Sequence, residues 1–80
     1  MDTRTAVQYR IVELCAAKRW AFNSVALYSG ISPSTMKSIL NGQSQNPGIV
    51  TIKKICDGLE ISLADFFDTE VFRTLEQEIR

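Results

Sequence analysis

The chain predicts an all-α fold, a compact bundle of five short helices with a short C-terminal helical extension. Three observations carry this prediction. Apolar residues recur at three- and four-residue intervals along the chain, no stretch alternates with the two-residue period of a strand, and glycine, proline and hydroxyl residues punctuate the pattern at short intervals. The 80 residues suffice for one small domain, which buries little more than about 60% of its unfolded surface.

The first helix is expected from about Thr3 to Arg19, because Val7, Ile11, Leu14 and Cys15 fall on one face. A second lies in "FNSVALYSG", where Phe22, Val25 and Ala26 share a face, Asn23 or Ser24 supplies the cap, and Gly30 the stop. Ser32 then precedes Pro33. A hydroxyl at the cap followed by proline at the first helical position opens a helix, since the missing proline N–H would have gone unpaired there anyway. In this third helix Met36, Ile39 and Leu40 point inward, while Ser34, Lys37, Ser38 and Asn41 spread over the opposite side and Thr35 flanks them. Asn41-Gly42 ends it. After "QSQNP" a fourth helix runs to about Leu59, with Ile49, Ile52, Ile55, Cys56 and Leu59 inward and Lys53 and Lys54 exposed. Ser62 and Asp65 form a capping-box-like pair before "LADFFD", a fifth helix that gives Leu63, Phe66 and Phe67 to the core. Val71, Phe72, Leu75 and Ile79 fall on one stripe of a short sixth helix. The expected organisation is therefore a domain over residues 1–68 and an extension over 69–80.

Charge is distributed unevenly. Residues 1–54 hold seven basic residues and two acidic ones, a balance of +5, and residues 55–80 hold the reverse, −5, so the net charge is zero. A phosphate backbone meets one face of a protein, so the local sign matters more than the sum. The two cysteines, Cys15 and Cys56, stand far apart among apolar neighbours, and with no histidine in the chain they read as buried core thiols and not as metal ligands. A disulfide is the lesser reading. Trp20, between the first two helices, reads as core. Catalysis finds no support: there is no histidine, no glycine-rich phosphate loop and no nucleophile with a base, so neither an enzyme nor a cofactor is expected. The segment "MDTRTAVQYR" is polar where a signal peptide needs an apolar run, and no stretch approaches the ~18 apolar residues of a membrane span. A cytoplasmic protein with no membrane association and no small-molecule ligand is expected.

Helix, tight glycine turn, capped helix is the order over residues 22–42, which a helix-turn-helix requires. The geometry alone leaves open an ordinary helical corner whose small polar residues face water. Residues 10–67 resemble the Cro/repressor-type helix-turn-helix family, also called the XRE family. The matching stretches are "RIVEL", "VALYSGIS", "PSTMKSILNG" and "NPGIVTIKKICDGLEISLADFF", with the NG stop, the NP loop and the final "ISLADFF" at the family's intervals. The resemblance implies a lambda-repressor-like bundle whose third helix, residues 33–41, lies in the major groove of double-stranded DNA. Carried onto this chain, Pro33, Ser34 and Ser38 face bases, with Thr35 and Lys37 at the edges. Ser34 and Ser38 can donate or accept, Thr35 can offer its methyl to thymine, and Lys37 can reach a guanine edge or a phosphate. Asn41 and the backbone from Gly42 through Gln43 to Gln45 would hold a phosphate.

Departures from the family bear on these expectations. A threonine-glutamine pair that often opens the second helix is here Ala21-Phe22, leaving Asn23 as a substitute for the phosphate contact or the contact absent. An arginine and a glutamate that often pair between the first and third helices are here Cys15 and Leu40, both apolar, as expected where packing replaces a buried ion pair. Glu60 replaces the usual glycine after the fourth helix, which predicts a less regular cap. The function implied is that of a sequence-specific transcriptional regulator and repressor. It would act as a homodimer, with Val71, Phe72, Leu75 and Ile79 as the dimerisation stripe or packed back on the core. The alternatives are an antitoxin-like regulator engaging a basic protein through its acidic C-terminal third, and a helical interaction module that does not read DNA.

Overall fold

The computed structural model describes residues 1–44 and 46–79, so Gln45 and Arg80 lie outside the described residues. Its helices are α1 (Thr3–Lys18), α2 (Phe22–Ser29), α3 (Pro33–Leu40), α4 (Ile49–Leu59), α5 (Leu63–Phe67) and α6 (Glu70–Arg73), and no strand occurs among the described residues. None is long and apolar enough to cross a membrane. The Asp2 side chain caps α1 by accepting from the Thr5 N–H at 2.8 Å, and hydrogen bonds from Thr5 hold its carboxyl below the usual carboxylate range.

Each of the first four helices contributes to one core, which Phe66 of α5 completes. Val7, Ile11 and Cys15 are buried, and Leu14 packs against them at the edge. Cys15 and Cys56 are both free and buried, and burial pushes both thiols up from the ordinary range, so they remain protonated at neutral pH. Trp20 is half-buried, edge-on to Tyr28 at 5.3 Å, with the Lys18 ammonium 5.1 Å from the centre of its ring.

The helix that follows the turn is oriented by α2, and α2 is held chiefly by α4. The two approach closely at Ser29 and Gly58. A Cβ built on Gly58 would run into the Ser29 hydroxyl and lie 3.0 Å from the Ser29 nitrogen and 3.1 Å from its Cα. A side chain at position 58 would therefore have to push the helices apart. Ser29 Oγ is buried there without a hydrogen-bond partner among the described residues, a cost that the small volume of serine offsets only in part.

Three helices end in the same way. After α1, α2 and α4 the residue just past the helix, Arg19, Gly30 or Glu60, takes left-handed φ values of 59°, 68° and 61°. The next residue, Trp20, Ile31 or Ile61, returns its N–H to the carbonyl five positions back, at 3.1, 3.1 and 3.0 Å, and packs against the core. These are Schellman caps with their hydrophobic contact. The cap at Glu60 is thus regular, contrary to the expectation from its missing glycine, because burial of Ile61 imposes the turn.

Four other expectations are corrected. Neither Asn23 nor Ser24 caps α2: its cap is Ala21, with no side-chain hydrogen bond, because the helix begins at Phe22, two residues earlier than a cap at Asn23 would allow and three earlier than one at Ser24. Phe22 is 40% exposed, at the end of α2 that overhangs the core. Ile49 is 58% exposed, because the first turn of α4 stands clear of the other helices and only Ile52, Ile55, Cys56 and Leu59 reach the core. The sixth helix is a single turn that ends at Arg73, so Leu75 and Ile79 form no helical stripe with Val71 and Phe72. One turn is too short to propagate without packing. Phe72 instead closes a ring cluster with Phe67 at 4.9 Å and Phe66 at 6.1 Å. The tail then returns to the start of α1, where the Glu78 carboxylate accepts from the Thr3 hydroxyl at 3.0 Å and the Glu76 N–H donates to the Met1 carbonyl at 3.3 Å.

Two outcomes are expected from these contacts. Gly58→Ala lowers unfolding free energy by about 1–3 kcal/mol in urea titrations, while Ser29→Ala is neutral or stabilising and restores part of the loss in the double variant. Glu60→Gly raises stability by about 1 kcal/mol, since a side chain in the left-handed region costs about 1–2 kcal/mol and the freer unfolded chain returns part of it.

Candidate nucleic-acid interface

The turn between α2 and α3 is built from three local choices. Gly30 accepts φ +68° without strain, Ile31 anchors the turn in the core, and Ser32 caps α3 by accepting from the Thr35 N–H at 3.1 Å. Pro33 occupies the first turn of α3 as expected. The Thr35 hydroxyl is also committed, 2.9 Å from Ser32 Oγ, which leaves its methyl as the group free for an apolar contact.

Met36 and Ile39 are buried and Leu40 packs at the core's edge, so the opposite side of α3 faces solvent. Pro33, Ser34, Thr35 and Lys37 are exposed there and Ser38 is half-exposed. Asn23, also exposed, joins them from α2: Phe22, Asn23, Pro33, Ser34, Met36 and Lys37 line one open groove of about 290 Å³. Phe22 puts an apolar ring in this groove, and Asn23 is the amide beside it.

Asn41 and Gln43 lie at the far end of α3. Asn41 Oδ1 accepts from the Gln43 N–H at 3.0 Å, and the Ser44 N–H donates to the Ser38 carbonyl at 3.0 Å, so the loop folds back on the helix. The Asn41 side-chain NH₂ has no partner among the described residues. The expected backbone contact at Gln45 lies outside the described residues.

The basic residues counted in the first two thirds of the chain are not equivalent. Arg10 donates to the Phe66 carbonyl at 2.8 Å and the Asp65 carbonyl at 2.9 Å and pairs with Glu13, so it ties α5 to α1. Lys53 pairs with Asp57, and Lys18 lies over Trp20. Arg4 donates to the Gly42 carbonyl at 2.9 Å, and beside it the Gln8 amide donates to the Leu40 carbonyl at 2.8 Å. The side chains of Arg19, Lys37 and Lys54 take no partner among the described residues. Sequence pattern does not single out Arg4 and Gln8. Their only signal is that they lie on the same side of α1 as Ile11 and Cys15, at the polar end of a buried stripe.

A buried inner edge, a small polar outer edge and a glycine-turn mount define a helix-turn-helix of DNA-binding type. The chain belongs to the Cro/C1-type HTH DNA-binding domain family, whose model matches residues 10–71. It is 34% identical over 62 residues to the HTH-type transcriptional regulator SlrR of Bacillus subtilis (strain 168), across 76% of this chain and 41% of SlrR. It is 41% identical over 49 residues to RghRB of the same strain, an uncharacterized HTH-type transcriptional regulator, across 61% of this chain and 35% of RghRB. The chain thus spans well under half the length of these two relatives. Among solved structures it superposes on the prophage Lp1 protein 11 with a TM-score of 0.81 and 34% identity, over 94% of this chain and all of that one.

Proposed function

We propose that this chain is the DNA-reading unit of a sequence-specific transcriptional regulator that represses by occupying an operator, with residues 33–41 in the major groove. The observation that carries the reading is the outer edge of α3, where Pro33, Ser34 and Lys37 share a groove with Asn23 of α2 while Met36 and Ile39 lock the helix from behind. Ser34 and Ser38 read base edges, Thr35 offers its methyl, and Lys37, Asn23, Asn41 and the backbone at Gln43 hold phosphates. Single-hydroxyl contacts discriminate less sharply than bidentate amide or guanidinium pairs, so the reading is permissive and affinity depends strongly on the phosphate contacts. The regulatory role of SlrR, over the part of it that this chain matches, supports the same reading.

Selection from random duplexes at low salt tests this. A consensus is expected, with affinity that falls steeply as salt rises. Lys37→Ala weakens binding to all duplexes and lowers the log–log salt slope by about 0.9, whereas Ser34→Ala and Ser38→Ala alter the consensus more than the affinity. Recovery of no consensus, together with absent or salt-insensitive binding, would favour a protein-interaction module instead.

The working form is a two-fold homodimer on half-sites about 34–36 Å apart, one helical turn of DNA. Phe72 is engaged with Phe66 and Phe67 and Leu75 is half-buried, so Val71 and Ile79, 44% and 89% exposed, are the tail's most exposed apolar groups and the first available to a second copy. Sedimentation at micromolar concentration is expected to find a dimer that Val71→Glu with Ile79→Glu weakens. An unchanged dimer would place the contact elsewhere.

A further inference from the structure

We propose that Arg4 and Gln8 are positioning residues for DNA reading, holding the C-terminal end of α3 and the loop after it in the register that a phosphate requires. This role rests on the reading of α3 as the DNA-contacting helix. It is carried by two hydrogen bonds that reach across from α1: Arg4 Nη1 to the Gly42 carbonyl at 2.9 Å and Gln8 Nε2 to the Leu40 carbonyl at 2.8 Å.

The end of α3 needs such support. A helix leaves its last carbonyls without partners, and α3 has only eight residues over which to distribute fraying. Its last helical bond, from the Asn41 N–H to the Lys37 carbonyl, is 2.9 Å, but the next, from the Gly42 N–H to the Ile39 carbonyl, has lengthened to 3.4 Å. Arg4 and Gln8 stand one turn apart on α1, and both bonds are partly buried, so water competes with them weakly. Between them they take the carbonyls on either side of Asn41, the residue whose amide group is available to a phosphate.

Charge strengthens the case. The C-terminal end of a helix carries partial negative charge and by itself repels a phosphate. The Arg4 guanidinium on the Gly42 carbonyl counters that charge at the point where the loop from Asn41 to Ser44 begins to fold back. With the Asn41 to Gln43 and Ser38 to Ser44 bonds in place, the phosphate end of α3 is held to α1, whose Val7, Ile11 and Cys15 share one core with Met36 and Ile39 behind the reading face. The distance between phosphate contacts and base contacts then stays constant, and so does the register in which Ser34 and Ser38 meet the bases. Neither Arg4 nor Gln8 needs to touch DNA.

The test compares the full chain with Gln8→Met, which keeps side-chain length and packing but cannot donate, and with Arg4→Lys and Arg4→Ala. The duplex is the one selected by the wild type, and each measurement is made well below the variant's thermal midpoint. Gln8→Met is expected to weaken binding to that duplex by about tenfold, with the salt slope and the affinity for an unrelated duplex unchanged. Arg4→Ala should do the same and Arg4→Lys should lose less. A role in stability alone would not move the ratio of selected to unrelated duplex. Amide exchange in the free protein should speed up at Gln43 and Ser44 in Gln8→Met while the core amides stay protected. Wild-type ratios in Gln8→Met overturn the proposal, as does a drop in salt slope of about 0.9 in Arg4→Ala, which would make Arg4 a direct phosphate ligand. Failure of the wild-type chain to select any duplex overturns the DNA reading itself and this role with it.

Discussion

The close approach of α2 to α4 at Ser29 and Gly58 is the constraint on which the rest of the structure depends. The two backbones come near enough that even one Cβ on Gly58 would meet backbone atoms of Ser29. Helix α3 is attached to α2 through a three-residue turn, so any displacement of α2 on α4 passes to the outer edge of α3. The buried Ser29 hydroxyl, which has no partner among the described residues, shows which demand prevailed. Close approach of the two backbones matters more here than a satisfied donor, since with serine on α2 the separation leaves no room for a side chain at position 58 of α4.

Around that crossing, the loops are held by the core and not by turn chemistry alone. The ends of α1, α2 and α4 share one cap geometry although only one of the three uses glycine. What they share is an apolar residue immediately after, Trp20, Ile31 or Ile61, each packed against the same core. Full burial of a side chain of this size contributes about 1.5–3 kcal/mol, of which these partly buried residues retain a share, against a left-handed penalty of about 1–2 kcal/mol. The balance explains why Arg19 and Glu60 tolerate a conformation that glycine would adopt more readily. It also means that the turn entering the reading helix, at Gly30 and Ile31, is tied to the core directly, whereas the loop leaving it is held by hydrogen bonds from α1.

The recurring apolar intervals, the Ser32-Pro33 start, the Ser62 cap and the Gly30 stop made five of the helices legible, and with them the split of α3 into a buried edge and a polar edge. Those signals are local: caps and helical faces depend on residues within about four positions of one another. Where local reading went astray, the cause lies at the ends of elements. Ile49 and Phe22 have the spacing of core residues but sit on turns that overhang the core, and hydrophobic spacing carries no information about where the neighbouring helices stop. The tail shows the same limit more plainly. Val71, Phe72, Leu75 and Ile79 have helical spacing, yet Phe72 finds two aromatic partners on α5 and the chain beyond it is drawn back to the start of α1.

The sequence by itself determined the all-α class, the helix-turn-helix order and the polar face of α3, because each follows from near-neighbour stereochemistry and the segregation of apolar residues. Only the tertiary structure decided what the long polar side chains do. Arg4, Gln8 and Arg10 bond to carbonyls 38, 32 and 56 residues away, and no periodicity announces such pairs. In the charge count Arg4 and Arg10 look like Lys37, a cation awaiting a phosphate. Folded, they secure the ends of α3 and α5, because a carbonyl at a helix end brought within reach of a partly buried guanidinium finds in it a better partner than water.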